Sequence, residues 1–224
     1  ISLSSNGYTL AIGATENDGN GADAGHVRVY NWSGTSWIQI GQDIDGEAPG
    51  DYSGRSVSLS SDGNTVAIGA HGNDGAAPDA GHVRIYNYNG SSWIQIGQDI
   101  DGESSNNNSG ASISISNNGN TVAIGAINND GNGAYSGHVR IYKYNNGSWI
   151  QIGQDIDGEA AGDESGCSVS LSSNGNIVAV GATFNNGNGS NSGHTRIYNN
   201  NLTNVNGCDS TAILNLTINQ ADTS

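Results

Sequence analysis

Three short acidic segments of the chain have a spacing that suits the binding of a divalent cation. Each carries two Asp and one Glu at alternate positions around a glycine, in the order Asp-Ile-Asp-Gly-Glu. Carboxylates arranged in this way can converge on a hard cation, and Ca²⁺ takes about six to eight oxygen ligands. The candidate ligands are Asp43, Asp45, Glu47, Asp99, Asp101, Glu103, Asp155, Asp157 and Glu159. The alternative is a solvated acidic rim in which Asp and Gly only shape turns.

Four His-x-Arg pairs and three tryptophans recur at equivalent positions. The residues are His26, Arg28, His82, Arg84, His138, Arg140, His194, Arg196, Trp37, Trp93 and Trp149. We expect each pair to pack between repeats, with Arg over an aromatic ring or paired with a nearby carboxylate; a repeated ligand site is the alternative. The tryptophans are expected to be hydrophobic anchors, and stacking on sugar rings is the alternative.

The sequence contains no recognisable catalytic motif. No nucleophile motif, phosphate loop or zinc-ligand spacing is present. A catalytic centre needs different groups that converge on one point, whereas the His-x-Arg pairs recur once per repeat. We therefore predict no catalytic residues and no enzymatic activity.

The charge of the chain excludes two classes of partner. A formal net charge of −15 with only six Lys and Arg provides no basic patch for nucleic acid or for an anionic membrane surface. No run of about 18 or more apolar residues is present, so we expect no membrane insertion. The two cysteines, Cys167 and Cys208, leave the redox compartment open.

These residues all belong to one repeat, which returns every 56 residues as His26 does at His82. We place the units at about 1–56, 57–112, 113–168 and 169–198. A divergent tail follows at 199–224, and it either replaces an outer strand or begins an adjoining β-sandwich module. Because the chain starts inside a repeat, we expect it to be an arc of a larger propeller, with the remainder of that longer chain as a partner.

The second unit indicates how one repeat folds. Its predicted strands are Ser56–Ser60, Thr65–Ala70, His82–Tyr88 and Ser92–Ile100. The pairs Asp-Gly and Asn-Gly between them are typical of tight hairpin turns. Four antiparallel strands per unit predict an all-β fold, a β-propeller of about four blades. A solenoid is the competing fold, but its turns are usually shorter than this repeat.

The segment Ser53 to Ala70 reads Ser-Gly-Arg-Ser-Val-Ser-Leu-Ser-Ser-Asp-Gly-Asn-Thr-Val-Ala-Ile-Gly-Ala and resembles the FG-GAP repeat of integrin α-chain propellers. The likeness covers roughly residues 1–198. The motifs Gly-Gln-Asp-Ile-Asp-Gly-Glu, Gly-His-Val-Arg-Ile-Tyr and Asn-Gly-Cys-Asp-Ser-Thr are similar to repeats of large secreted surface proteins of Bacteroidetes, some of them adhesins. This resemblance implies an extracellular or cell-surface location. FG-GAP repeats often hold Ca²⁺ between strands one and two, but here that loop offers one carboxylate, Asp62, and the site is not carried over.

Taken with the resemblance, the sequence favours a binding or adhesion module of a secreted or cell-surface repeat protein. The expected partner is a protein or glycan ligand at the acidic loops, with Ca²⁺ as the one candidate cofactor. A structural spacer is the first alternative, and a propeller that hydrolyses or cleaves glycans is the second. Loop residues that break the repeat, such as His71, Pro78 and Phe184, favour binding over a spacer.

Overall fold

The computed structural model describes residues 1–199, which form four antiparallel β-sheets in chain order. Each sheet corresponds to one repeat, and we call it a blade. The prediction of an all-β fold built from repeated antiparallel blades is confirmed. Apart from residue 199, the predicted tail at 199–224 lies outside the described residues, and so does Cys208. Within residues 1–199, no helix is long and apolar enough to cross a membrane.

Blades 1–3 share one strand order, in which the third strand lies between the second strand and two short outer strands, and the described part of blade 4 keeps the order of the first three strands. Blade 1 contains β1 (Ser2–Leu3), β2 (Thr9–Ala14), β3 (His26–Trp32), β4 (Trp37–Gln39) and β5 (Ile44–Asp45). Blade 2 contains β6 (Ser56–Leu59), β7 (Thr65–Ala70), β8 (His82–Tyr88), β9 (Trp93–Gln95) and β10 (Ile100–Asp101). Blade 3 contains β11 (Ser109–Ile115), β12 (Thr121–Ala126), β13 (His138–Asn145), β14 (Ser148–Gln151) and β15 (Ile156–Asp157). The described part of blade 4 contains β16 (Ser165–Leu171), β17 (Ile177–Ala182) and β18 (His194–Asn199).

The first two strands of each blade are joined by a hairpin that its own side chains stabilise. In blade 2, the Ser60 hydroxyl donates to Asp62 Oδ1 over 2.6 Å and accepts the Thr65 N–H over 3.0 Å. Gly63 has a φ of 75°, which a glycine adopts without the steric cost of a Cβ. The short polar and glycine residues of this turn therefore fix its geometry locally.

The outer strand of blades 1–3 differs from its prediction, because it is broken in two. The segment predicted as one strand, Ser92–Ile100, forms β9 and β10, which pair with opposite ends of β8. The break falls at Gly97, whose φ of 75° does not fit an extended strand. The glycine is required there, since a Cβ would lie 2.6 Å from Cδ1 of Trp149 in the next blade.

The hydrophobic cores lie between the blades. One core combines Val27, Val29 and Ile44 of blade 1 with blade 2 residues that include Val66 and Trp93. The next core repeats this arrangement between blades 2 and 3, and a third lies between blades 3 and 4. Each blade therefore buries its apolar surface against a neighbour, as expected of repeats that stack.

Candidate functional site

Two polar segments of each repeat meet at one end of the blade. They are the loops between second and third strands (15–25, 71–81, 127–137 and 183–193) and the links between blades (41–52, 97–108 and 153–164), and we call their common surface the loop face. The Asn20 amide donates to the Gly46 carbonyl over 2.7 Å, and the Tyr52 N–H donates to the Asp23 carbonyl over 3.0 Å. The loop and the link of blade 1 are therefore in direct contact.

Acidic side chains shape the loops of this face. Asp18 Oδ1 accepts the N–H of Asp23 over 2.9 Å, and Asp74 and Asp79 form the same bond over 2.8 Å. Asp23 and Asp79 have φ values of 55° and 50°, a left-handed conformation that Asp tolerates better than most residues. Blade 4 uses Asn186 in the same role. The loop conformation therefore needs an oxygen acceptor at this position and does not need a negative charge.

The link holds the next blade through a glutamine. The Gln98 side chain accepts the Trp149 N–H over 3.1 Å and donates to the Trp149 carbonyl over 2.8 Å. The Trp149 indole N–H in turn donates to the Ile96 carbonyl over 2.9 Å. Gln42 and Trp93 form the same arrangement one blade earlier. Sequence reasoning did not assign a role to this glutamine, although its strict recurrence in Gly-Gln-Asp was a signal.

The first Asp of each link binds its own blade. In blade 1, both oxygens of Asp43 accept hydrogen bonds from Arg28, and Gln39 donates to Oδ1 over 2.6 Å. The hydrogen bond from Arg28 lowers the pKa of Asp43 below its ordinary value of 3.8. Gln95 and Gln151 likewise donate hydrogen bonds to Oδ1 of Asp99 and Asp155.

The Glu of each link reaches the following blade. Glu47 Oε1 lies 3.1 Å from Nη1 of Arg84, and Arg84 also donates to the Asp45 carbonyl over 2.9 Å. The Arg84 guanidinium lies 5.7 Å from the centroid of the Tyr86 ring. Equivalent ion pairs join Glu103 to Arg140 and Glu159 to Arg196. One arginine thus contacts a carboxylate, a carbonyl and an aromatic ring at the blade junction.

The histidines lie beside these carboxylates. His82 Nδ1 is 3.9 Å from both Glu47 and Asp99, and His138 Nδ1 is 3.6 Å from Asp155. Burial, with repulsion from the neighbouring arginine, lowers the pKa of both histidines from 6.5 to about 4. His26 and His194 occupy the same position in blades 1 and 4. Both central imidazoles are therefore neutral at physiological pH.

The nine carboxylates proposed for Ca²⁺ are grouped differently from the prediction. The three carboxylates of one link do not meet at one point: Asp43 and Asp45 lie near His26, whereas Glu47 lies with His82 and Asp99. The remaining groups follow this division, with Glu103 beside His138 and Asp155, Asp157 4.0 Å from His138, and Glu159 beside His194. Asp101 stays exposed, and its pKa is raised by partial burial and by Asp99. The clusters at His82 and His138 thus combine carboxylates of two links, whereas the cluster at His26 holds two carboxylates of one link.

The family's calcium loop does not fit this chain. Asp62, its one carboxylate in blade 2, already accepts hydrogen bonds from Ser60 and Asn64 within a five-residue turn. Asn174 replaces this carboxylate in blade 4 and makes the same contacts. The residue at this position therefore acts as a turn former.

The tryptophans fall into two environments. Trp93 and Trp149 are 2% and 3% exposed and lie in the cores between blades, so neither offers a ring face to a sugar. Trp37 is 41% exposed and packs on Trp32, with 5.5 Å between ring centroids.

Comparisons with known proteins extend this description. The family model of the FG-GAP repeat matches residues 44–86 and 156–198. No curated protein matches the chain in sequence. Among solved structures, a candidate 6-phosphogluconolactonase from Bacteroides uniformis is 12% identical with a TM-score of 0.50, and the match covers 97% of this chain and 71% of that chain. The periplasmic gluconolactonase PpgL of Pseudomonas aeruginosa is 16% identical with a TM-score of 0.50, over 85% of this chain and half of that chain.

The prediction that the chain is not an enzyme is wrong as an inference from the repeat pattern. Both of these structurally similar proteins carry the names of lactonases. The prediction rested on the lack of a catalytic motif and on the repetition of the His-x-Arg pairs, but these pairs are residues that hold the blades together. A fold of this kind accommodates enzymes as well as binding proteins, and its framework residues do not decide between them.

At these identities the two structures inform on the fold alone. The family match falls on the segments where a link, an inner hairpin and a third strand follow each other. Two segments of the chain, residues 44–86 and 156–198, therefore match the FG-GAP repeat, and the described blades are consistent with a partial β-propeller of repeated units.

Proposed function

We propose that this chain is a binding module of an extracellular or cell-surface protein and that its ligand is a basic protein segment held at the loop face. The observation that carries the proposal is the direct contact between loop and link at one end of blades 1–3, exemplified by Asn20 and Gly46. FG-GAP repeats are typical of extracellular or periplasmic proteins, which supports this location.

Charge complementarity favours a basic partner. The exposed carboxylates of the loop face include Asp18, Asp74, Asp130, Asp101 and Asp157. Four of the six basic residues of the chain, Arg28, Arg84, Arg140 and Arg196, are paired with link carboxylates. The loop face therefore keeps a negative potential that steers positively charged partners towards it.

The loops are also preorganised for binding. Their left-handed residues and capping side chains recur in each blade, so their backbone is defined before any ligand is present. A preorganised surface loses less conformational entropy on association than a mobile one. Differences among the loops, such as Tyr52 stacked on His71 at 5.4 Å, then provide contacts specific to one blade.

A charge-removal experiment tests this function. Asp18→Asn, Asp74→Asn and Asp130→Asn together remove three charges while keeping the turn, because Asn186 already forms it in blade 4. We expect binding to an array of basic peptides, followed by titration of the best peptide, to weaken at least tenfold. The control is Asp62→Asn at the opposite end of the blade, where Asn118 is the natural equivalent, and it should leave affinity unchanged.

Two results would contradict the proposal. One is binding that the triple variant retains at full strength, and the other is an array without saturable binding. Hydrolysis of gluconolactone is measured on the same preparation, since the structurally similar proteins bear lactonase names. Turnover that survives the triple variant would replace the binding function with a catalytic one.

A further inference from the structure

Two blade junctions each contain a buried histidine without a hydrogen bond. His82 is 1% exposed and His138 is 2% exposed. Within residues 1–199, no hydrogen bond joins either imidazole to another residue, and the nearest carboxylate oxygens lie 3.6–4.0 Å from Nδ1. These separations exceed the usual hydrogen-bond range. Because buried polar groups normally have a partner, the carboxylate-lined surroundings of each Nδ1 are a candidate position for an additional one.

The carboxylates around His82 are held so that one oxygen of each faces the imidazole. Gln95 donates to Asp99 Oδ1, and the other oxygen, Oδ2, is the atom 3.9 Å from His82. Arg84 contacts Glu47 Oε1, and the other oxygen, Oε2, again lies 3.9 Å from His82. Partners that fix a carboxylate in this manner are typical of the surroundings of metal ligands.

Blade 3 repeats this arrangement with one additional carboxylate, Asp157, whose Oδ1 lies 4.0 Å from His138 Nδ1. Gln151 donates to Asp155 Oδ1, while Asp155 Oδ2 faces His138 over 3.6 Å. Glu103 Oε1 lies 3.5 Å from Arg140, and its Oε2 lies 4.0 Å from His138. The recurrence of the same atoms in the same roles indicates a built arrangement in both junctions.

We propose that the clusters Glu47, His82, Asp99 and Glu103, His138, Asp155 are two equivalent binding sites for a divalent transition-metal ion of the Zn²⁺ class. Two ligands that lie about 2.0–2.2 Å from one tetrahedral ion are about 3.4 Å apart. The separations of Nδ1 from the carboxylate oxygens are 3.6–4.0 Å, and the three ligand atoms of each site lie within 4.8 Å of one another, so side-chain adjustment would bring them to an ion. A donor set of one imidazole and two carboxylates suits Zn²⁺ and disfavours Ca²⁺, which takes oxygen ligands.

Each site lies between two blades and is open to solvent on one side. Each site combines the Glu of one link with the Asp of the next link and the first residue of the third strand, so an ion would tie two blades together. The glutamate side chains are 47% and 45% exposed, which leaves access for the ion and for water as a fourth ligand. Blade 1 is excluded, because both oxygens of Asp43 are engaged by Arg28.

Titration of the whole chain with Zn²⁺ by calorimetry tests the proposal. We expect two sites per chain, one site in His138→Gln, none in the variant that combines His82→Gln with His138→Gln, and two in His71→Gln. His71 is the matched control, since its Nδ1 is buried without a hydrogen bond but has no such carboxylate pair. A tenfold excess of Ca²⁺ should leave the Zn²⁺ heat in place.

A wild-type chain without saturable Zn²⁺ binding would overturn the proposal, as would a double variant that keeps both sites. Asp155→Asn is the second variant if His138→Gln fails to fold, and it should also lose one site. Zinc X-ray absorption on the loaded wild type should show one imidazole nitrogen per ion, and a first shell of oxygens alone would contradict the assignment. If Ca²⁺ displaces Zn²⁺, the heat of Zn²⁺ binding comes from the exposed carboxylates and not from the two proposed sites.

Discussion

Blades 1 and 2 share a Trp, an Arg and a His at equivalent positions, but these residues have different surroundings. Trp37 is 41% exposed and Trp93 is 2% exposed, and the Arg28 and Arg84 side chains are 43% and 9% exposed. The link between blades 1 and 2 supplies the glutamine, the carbonyl and the glutamate that the residues of blade 2 contact. Trp37 and Arg28 instead pair with Trp32 and Asp43 of their own blade. Burial of the Trp and Arg side chains therefore depends on the contacts between neighbouring blades, which we call the junction, and the junction is the unit of stability.

Substitution of the tryptophans tests this difference most strongly. Trp93→Ala should lower the free energy of unfolding by about 3–5 kcal/mol, because it removes a buried indole from the core between blades. Trp37→Ala is the matched variant, and we expect a loss below about 1 kcal/mol. Urea titration measures both values. Equal losses would show that the tryptophans act within their own blades.

A glycine pair separates steric fit at the junction from backbone conformation. Gly97→Ala should cost about 2–4 kcal/mol, because the new Cβ meets Trp149 at 2.6 Å in addition to the strain of a positive φ. Gly90→Ala has a φ of 96° but nothing within 4 Å of its Cβ, so strain alone should cost about 1 kcal/mol. The same urea titration compares them. Equal losses of unfolding free energy in the two variants would show that Gly97 is not needed to leave space for Trp149.

The arginines extend the comparison to polar contacts. Arg140→Met should cost about 2 kcal/mol, since it removes a charged hydrogen bond to the Asp101 carbonyl and the ion pair with Glu103. Arg28→Met removes a contact with Asp43 within its own blade and should leave the unfolding midpoint unchanged. Thermal unfolding checks both variants. A larger loss of stability in Arg28→Met than in Arg140→Met would contradict the expectation that contacts between blades contribute most.

The central histidines predict a smaller dependence on pH. Their folded pKa of about 4 lies below the ordinary 6.5, so the unfolded chain takes up protons first as pH falls through 6.5. Stability of the metal-free chain should therefore fall as pH decreases from 6.5 to about 4, by on the order of 1 kcal/mol or more. The variant with His82→Gln and His138→Gln should show a flatter profile in a chelating buffer. An unchanged slope would assign the dependence to other groups.

Sequence reasoning found the elements inside a repeat more readily than the contacts between repeats. Hairpins such as the one at Asp62 follow from a few neighbouring residues, and the strand order follows from those hairpins. The contacts of Gln98 with Trp149 and of Glu103 with Arg140 join different repeats, and nothing within one unit indicates them. The spacing of Asp99, Asp101 and Glu103 suggested a single cation site. Alternation in sequence shows only that these residues are neighbours along the chain; it does not show which blade each side chain contacts.

Native-state hydrogen exchange of Trp149→Ala tests the junction most directly. If the junction is the unit of stability, protection factors of backbone amides should fall on both sides of it, in β8 of blade 2 and in β12 and β13 of blade 3, while blade 1 changes little. Loss of protection confined to blade 3 would contradict this account and would make the single blade the unit that folds.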